Sequence, residues 1–205
     1  MMASSETASF DLPLFPLGTV LFPGGRLPLQ IFEPRYLDLV SRCMRENSSF
    51  GVVLIRAGTD VRVGPGSSQP EVFEIGSEAK IVDFNQLSSG RLGVTIEGGR
   101  KFRVHDTWEQ SDGLLIGEVS ILPEEPELAV AGEHQELVDL LTELTLHPEV
   151  AKLQLNIELE DARSVGWRLA ELLPIEPEIK QSLLQLPYPR ERLQELRRLI
   201  TKLRG

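Results

Sequence analysis

Apolar and polar positions alternate with period two through much of the first 126 residues and recur at helical spacing after them. The chain therefore reads as a β-rich front followed by a helical back. Residues 50–56 (FGVVLIR) form a nearly unbroken apolar run between turn formers, the pattern of a strand buried on both faces. Residues 91–97 alternate, with Leu92, Val94 and Ile96 on one face and Arg91, Thr95 and Glu97 on the other. After Gly98-Gly99 the alternation resumes and sets Phe102 and Val104 opposite Lys101, Arg103 and His105. Period two on both sides of a glycine pair predicts a hairpin turning at Gly98-Gly99. Residues 71–84 and 114–121 supply further strands, and residues 58–70 (GTDVRVGPGSSQP) read as a mobile loop. One helix interrupts this front: Pro34 suits a first helical position, and Tyr36, Leu39, Val40, Cys43 and Met44 share one face.

The back predicts three or four helices. Leu137, Leu140, Leu141 and Leu144 form one stripe; Val165, Leu169, Leu172 and Leu173 form another, with Asp161 as N-cap and Pro174 as stop. Pro177 opens the next, carrying Ile179, Leu183, Leu184 and Leu186. The last runs over residues 190–204 with Leu193, Leu196, Leu199, Ile200 and Leu203 inward. Composition sharpens the division: residues 1–126 hold 14 of 17 glycines, whereas residues 127–205 hold 19 leucines, so turn chemistry gives way to packed helices. Residues 122–127 (LPEEPE) read as a solvated connection. The expected layout is a disordered leader over residues 1–9, a β-rich subdomain over 10–126 and a helical subdomain over 127–205.

Charge narrows the partners. A net charge of −10 argues against bulk capture of nucleic acid or anionic membrane. Residues 127–160 carry eight acids and one lysine, whereas residues 161–205 carry six acids and nine basic residues. The basic residues of the last helix (Arg190, Arg192, Arg197, Arg198, Lys202, Arg204) lack interleaved aromatics for base stacking. They read as a solvated face answering the acidic segment before them. No apolar run approaches the length of a membrane helix, no secretory signal opens the chain, and one cysteine permits no intrachain disulfide. A reducing cytoplasm is the simplest location.

No catalytic motif emerges from the sequence. Nothing matches G-x-x-x-x-G-K-[ST], a strand-following G-x-G-x-x-G or G-x-S-x-G. His105, His134 and His147 stand far apart and Cys43 lies on an apolar helix face, which predicts no metal, cofactor or reactive thiol. Trp108 and Trp167 sit among apolar neighbours and read as packing, and Glu124, Glu125 and Glu127 as solvated connection.

Three ordered blocks carry a resemblance. LPLFPLGTVLFPGGRLPLQIFEPRYLDL (residues 12–39), EIGSEAKIVDFNQLSSGRLGVTIEGGRKFRV, and DARSVGWRLAELLPIEPEIKQSLLQ followed by RERLQELRRLI resemble the N-terminal, substrate-binding domain of the ATP-dependent Lon proteases. The resemblance spans residues 10–204. It implies an α+β fold: a PUA-like, partly closed β-barrel with one helix, followed by an α-helical bundle. It also implies a free-standing bacterial member without the ATPase and serine–lysine protease modules, so no catalytic or nucleotide-binding residue carries over. The function expected is a non-catalytic module that binds unfolded or partner polypeptides, in protein quality control. Phe15, Phe22 and Phe32, in the apolar, proline-rich entry segment, are the candidate polypeptide-binding residues. The alternatives are an oligomeric scaffold associating through the C-terminal helices and, against the charge, an RNA-binding PUA-like module.

Overall fold

A computed structural model describes residues 8–59 and 69–204. Most of the expected leader (residues 1–7) and the centre of the expected loop (residues 60–68) lie outside the described residues. The apolar run at residue 50 becomes strand β3 (Phe50–Ala57), whose alternate side chains enter different cores: Val52 packs beneath a helix, Val53 inside the sheet and Leu54 against the helical back. β3 lies parallel to β1 (Phe10–Leu17) and antiparallel to β5 (Ile75–Gln86). β5 pairs with β6 (Leu92–Glu109), β6 with β7 (Leu115–Ile121), and β7 returns to β1. The β1–β3 pairing closes these five strands into a ring, which removes their open edges. Outside the ring, β2 (Arg26–Ile31) pairs with the first part of β6, and β4 (Glu71–Val72) lies beside β3.

The hairpin expected at Gly98-Gly99 does not form. β6 runs 18 residues straight through the pair, and the chain reverses instead at residues 87–91, where Leu87 N–H donates to Arg91 O and Gly90 takes φ +78°. Gly98 serves closeness rather than turning: a Cβ there would stand 2.1 Å from the Phe22 carbonyl oxygen. Local pattern cannot separate a glycine that turns from one that admits a neighbour, because both interrupt the apolar alternation.

Helix α1 (Pro34–Glu46) starts at a proline whose fixed φ suits the first turn and ends at Asn47 in the left-handed region. Tyr36, Leu39, Val40 and Cys43 close one end of the barrel core, while Met44, expected on that face, is exposed. The helical back has α2 (Gln135–Thr145), a four-residue α3 (Pro148–Ala151), α4 (Ala162–Leu172), α5 (Pro177–Gln185) and α6 (Pro189–Arg204). Asp161 caps α4 as expected, its Oδ1 accepting from Arg163 N–H at 2.9 Å. Leu137, Leu141, Val165, Leu169, Leu183, Leu193 and Leu196 share one core, into which the barrel sends Val20, Phe22, Leu54 and Ile75. Leu203 and Trp108, expected to pack, are exposed instead. Among the described residues no helix is long and apolar enough to cross a membrane.

Candidate functional site

The two glycine pairs of the front meet in space. Gly24 N–H donates to Gly98 O at 2.7 Å and Gly98 N–H to Gly25 O at 2.9 Å, so the FPGG turn locks onto the middle of β6. Gly24 takes φ +66° and leaves room for the Arg168 guanidinium, whose two terminal nitrogens donate to Pro23 O and Gly24 O. Arg168 also pairs with Glu171 at 3.1 Å, and Glu171 accepts from Arg26 N–H. Helix α4 thus holds the turn from the other side, and the FPGG segment is a clasp between barrel and bundle.

Burial raises the Glu171 carboxyl above its ordinary value of 4.5 against the opposing pull of Arg168. A raised carboxyl binds its proton more tightly in the folded chain than in the unfolded one, so its contribution to stability falls as pH rises through the window above 4.5. Glu171→Gln, which fixes the neutral shape, should therefore gain on the native protein across that window. Urea unfolding between pH 4 and 7 reads this directly, and parallel curves for the two proteins would refute it.

A second clasp is ionic. Glu125 was expected to be solvated; its side chain is 2% exposed and lies between Lys101 and Arg192, themselves 7% and 0% exposed. Arg192 grips it with two bonds of 2.8 and 2.6 Å, and Lys101 Nζ donates to Glu125 Oε1. The remaining donors reach the end of α5: Lys101 to Leu184 O and Leu186 O, Arg192 to Leu183 O and Leu186 O. Two cations thereby satisfy the orphan carbonyls of a helix C-terminus while sharing one carboxylate. Burial pushes the Lys101 amine below its ordinary value, with Glu125 pulling it back. Lys101 and Arg192, expected on exposed faces, are interior because the connection folds back: Leu122 N–H donates to Lys101 O, and Arg163 donates to Glu125 O. Of the other basic residues of α6, Arg190 pairs with Glu133 and Arg197 with Glu136 in the preceding acidic segment, whereas Arg198 pairs with Glu195 of its own helix.

Between these clasps opens a cleft of about 410 Å³ at the seam of barrel and bundle, bounded by Gly98-Gly99, Leu122 and Pro123 on one side and by Asn156, Glu158 and Trp167 on the other. Arg192 lies over the Trp167 ring, 5.4 Å from its centre. Such volumes at the junction of two packed units are the usual setting of ligand sites. No cluster of three or more His, Cys, Asp or Glu able to hold a metal occurs among the described residues. His105 bonds Ser120 on β6–β7, His134 is buried, and His147 accepts from Glu149 N–H at the start of α3, so the three share no site. Burial raises the Cys43 thiol, which keeps it in its unreactive form.

The phenylalanines proposed from sequence separate. Phe15 stacks on Tyr36 at 3.9 Å inside the barrel, and Phe22 is wholly buried against the helices. Phe32 alone reaches solvent, 52% exposed, with the Arg91 guanidinium over its ring. None of the three lines the cleft, and the residues that do were missed because the glycines, the LPEEPE connection and α4 converge only through folding. The one available signal was the two glycine pairs, each too regular to be a random break.

Comparison with known proteins agrees with this geometry. The family described as ATP-dependent protease La (LON) substrate-binding domain matches residues 11–202. A crystal structure of a Lon N-terminal domain protein from Xanthomonas campestris is 38% identical, covers 91% of this chain and 96% of that one, and superposes with a TM-score of 0.72. The N-terminal domain of a Mycobacterium avium complex Lon protease, 16% identical over 91% of this chain and 96% of that one, shares the fold at a TM-score of 0.59. Cereblon of Danio rerio is 31% identical over 58% of this chain, and a Lon protease of Cytophaga hutchinsonii 26% identical over 83%. The chain spans only 27% and 18% of those two proteins' lengths. The match of that family over residues 11–202 identifies this chain as a member of the Lon substrate-binding domain family.

Proposed function

We propose that this chain is a non-catalytic polypeptide-binding module of cytoplasmic protein quality control, and that the seam cleft is where it takes hold of its partner. The observation that carries the reading is the cleft itself. It is a concave, indole-bearing surface between two buried clasps. Its size, about 410 Å³, suits one or two side chains with their backbone rather than a folded domain. A module that grips a short segment can act on unfolded chains of many sequences.

Fluorescence anisotropy of a labelled, permanently unfolded polypeptide should show saturable binding, and a single-stranded RNA of similar charge should not bind. Purified protein should neither hydrolyse ATP nor cleave the polypeptide. Binding of the RNA alone, or turnover that survives rigorous purification, would overturn the reading. A second reading, a self-associating scaffold, draws on a groove of about 520 Å³ between α5 and α6 containing Ile179, Leu186 and Leu199. Sedimentation velocity across a hundredfold concentration range tests it.

A further inference from the structure

The charges around the seam cleft are unequally committed. Each cation on its wall already has a counter-charge. Arg100 is held in a two-bond grip by Glu78, Lys101 by Glu125, Arg163 by Asp161 and Glu127, and Arg168 by Glu171. The backbone donors that could cradle an anion are equally occupied: Gly24 and Gly98 N–H close the glycine clasp, and the N-terminus of α4 is capped by its own Asp161. Two acids on the wall differ. The exposed carboxylates of Glu124, on the barrel side, and Glu158, on the bundle side, make no hydrogen bond or ion pair among the described residues. Lys101 and Arg192 share Glu125, and Glu124 acts on Arg100 at longer range. The wall and its ion-pair partners still set seven carboxylates against five cations, so the mouth keeps a net negative charge beside the indole in the wall. The cleft lies on a chain whose overall charge of −10 adds a field of the same sign.

We infer that the cleft selects polypeptide segments carrying a basic side chain, with Glu124 and Glu158 as the carboxylates that pair with it. This rests on the polypeptide-binding reading and deepens it. A lysine or arginine stem would lie along Leu122, Pro123 and the Trp167 ring while its head remains between the two carboxylates near water. An acidic segment would meet like charge, and the neutral donors on the wall, such as the unpartnered Trp167 Nε1–H, carry no positive charge to offset it, so discrimination comes from repulsion as much as from attraction.

The test uses three labelled, unstructured decapeptides that differ only in carrying two arginines, two serines or two glutamates at their centre. The arginine peptide should bind about tenfold more tightly than the serine peptide at low ionic strength, with the difference shrinking in half-molar salt. The glutamate peptide should bind weakest. In the double variant Glu124→Gln/Glu158→Gln the preference should be abolished, the arginine and serine peptides then binding alike. Glu46→Gln/Glu143→Gln, an equal charge change at two exposed positions away from the cleft, should retain the preference. Equal binding of all three peptides, or loss of the preference in the second double variant as well, would overturn the charge inference and leave polypeptide binding standing. No binding of any peptide or of the unfolded polypeptide would overturn the polypeptide reading itself.

Discussion

Glu125→Ala should lower the melting temperature by about 6–20 °C, while Glu124→Ala, one position earlier, should leave it within about 2 °C. Both residues are acids in the same proline-flanked segment, and only tertiary position separates them. Removing Glu125 strands the Lys101 ammonium and the Arg192 guanidinium together in the interior, where both are less than a tenth exposed. Breaking a buried pair in this way costs about 3–5 kcal/mol, chiefly the desolvation of charge left without its partner. For a domain of this size each kcal/mol shifts the midpoint by about 2–4 °C. The loss should be local in origin, because the two cations also cap α5 through Leu183, Leu184 and Leu186. Glu125→Gln, which keeps the shape and one acceptor, should fall between the two. Differential scanning calorimetry of the three variants decides the matter, and equal midpoints for Glu125→Ala and Glu124→Ala would show that the clasp contributes nothing.

Gly98→Ala should destabilise by on the order of 3 kcal/mol, and Gly99→Ala should be close to neutral. An added methyl at Gly98 would meet Phe22 O at 2.1 Å and Phe22 C at 2.9 Å, and backbone atoms in a paired strand cannot step aside as a flexible side chain can. Relief would require the FPGG turn to lift from β6, which would break the Gly24–Gly98 and Gly98–Gly25 hydrogen bonds and pull Phe22 out of the helical core. At Gly99 the nearest contact is the Glu78 Cβ at 3.4 Å, ordinary van der Waals distance. Denaturant unfolding of the two single variants compares neighbours with the same residue type and opposite environments. Similar midpoints would mean that the close approach is not the reason glycine stands at Gly98.

The elements were legible from the sequence where one face of the chain is uniformly apolar. β3 was readable because five consecutive residues from Phe50 are buried, and α4 because Asp161, its leucine stripe and Pro174 agree on where it starts and stops. The same reading went astray wherever a polar residue or a glycine owes its place to something distant in the chain. Lys101 alternates correctly with Phe102 yet is interior, since Glu125 and the end of α5 arrive over it. Arg192 shares the inward stripe of α6 with Leu196 and Ile200, unlike the exposed Arg190, Arg197 and Arg198, and it is accommodated there because Glu125 and the end of α5 lie opposite it. Phe22 looked like a candidate contact residue and is the barrel's anchor in the bundle.

The sequence by itself determined the buried strand at Phe50, the amphipathic helices, the break between a glycine-rich front and a leucine-rich back, and the family, because these depend on periodicity and ordered motifs that short stretches of chain carry whole. The tertiary structure decided what the glycine pairs are for, which charges are buried, and where the cleft lies. Those are properties of pairs: a carbonyl against a glycine 76 positions away, or a carboxylate between cations 24 and 67 positions away in opposite directions. A one-dimensional pattern records what each residue prefers. Burial, a counter-charge or a missing Cβ acquires its energetic meaning only when folding brings the second partner into contact.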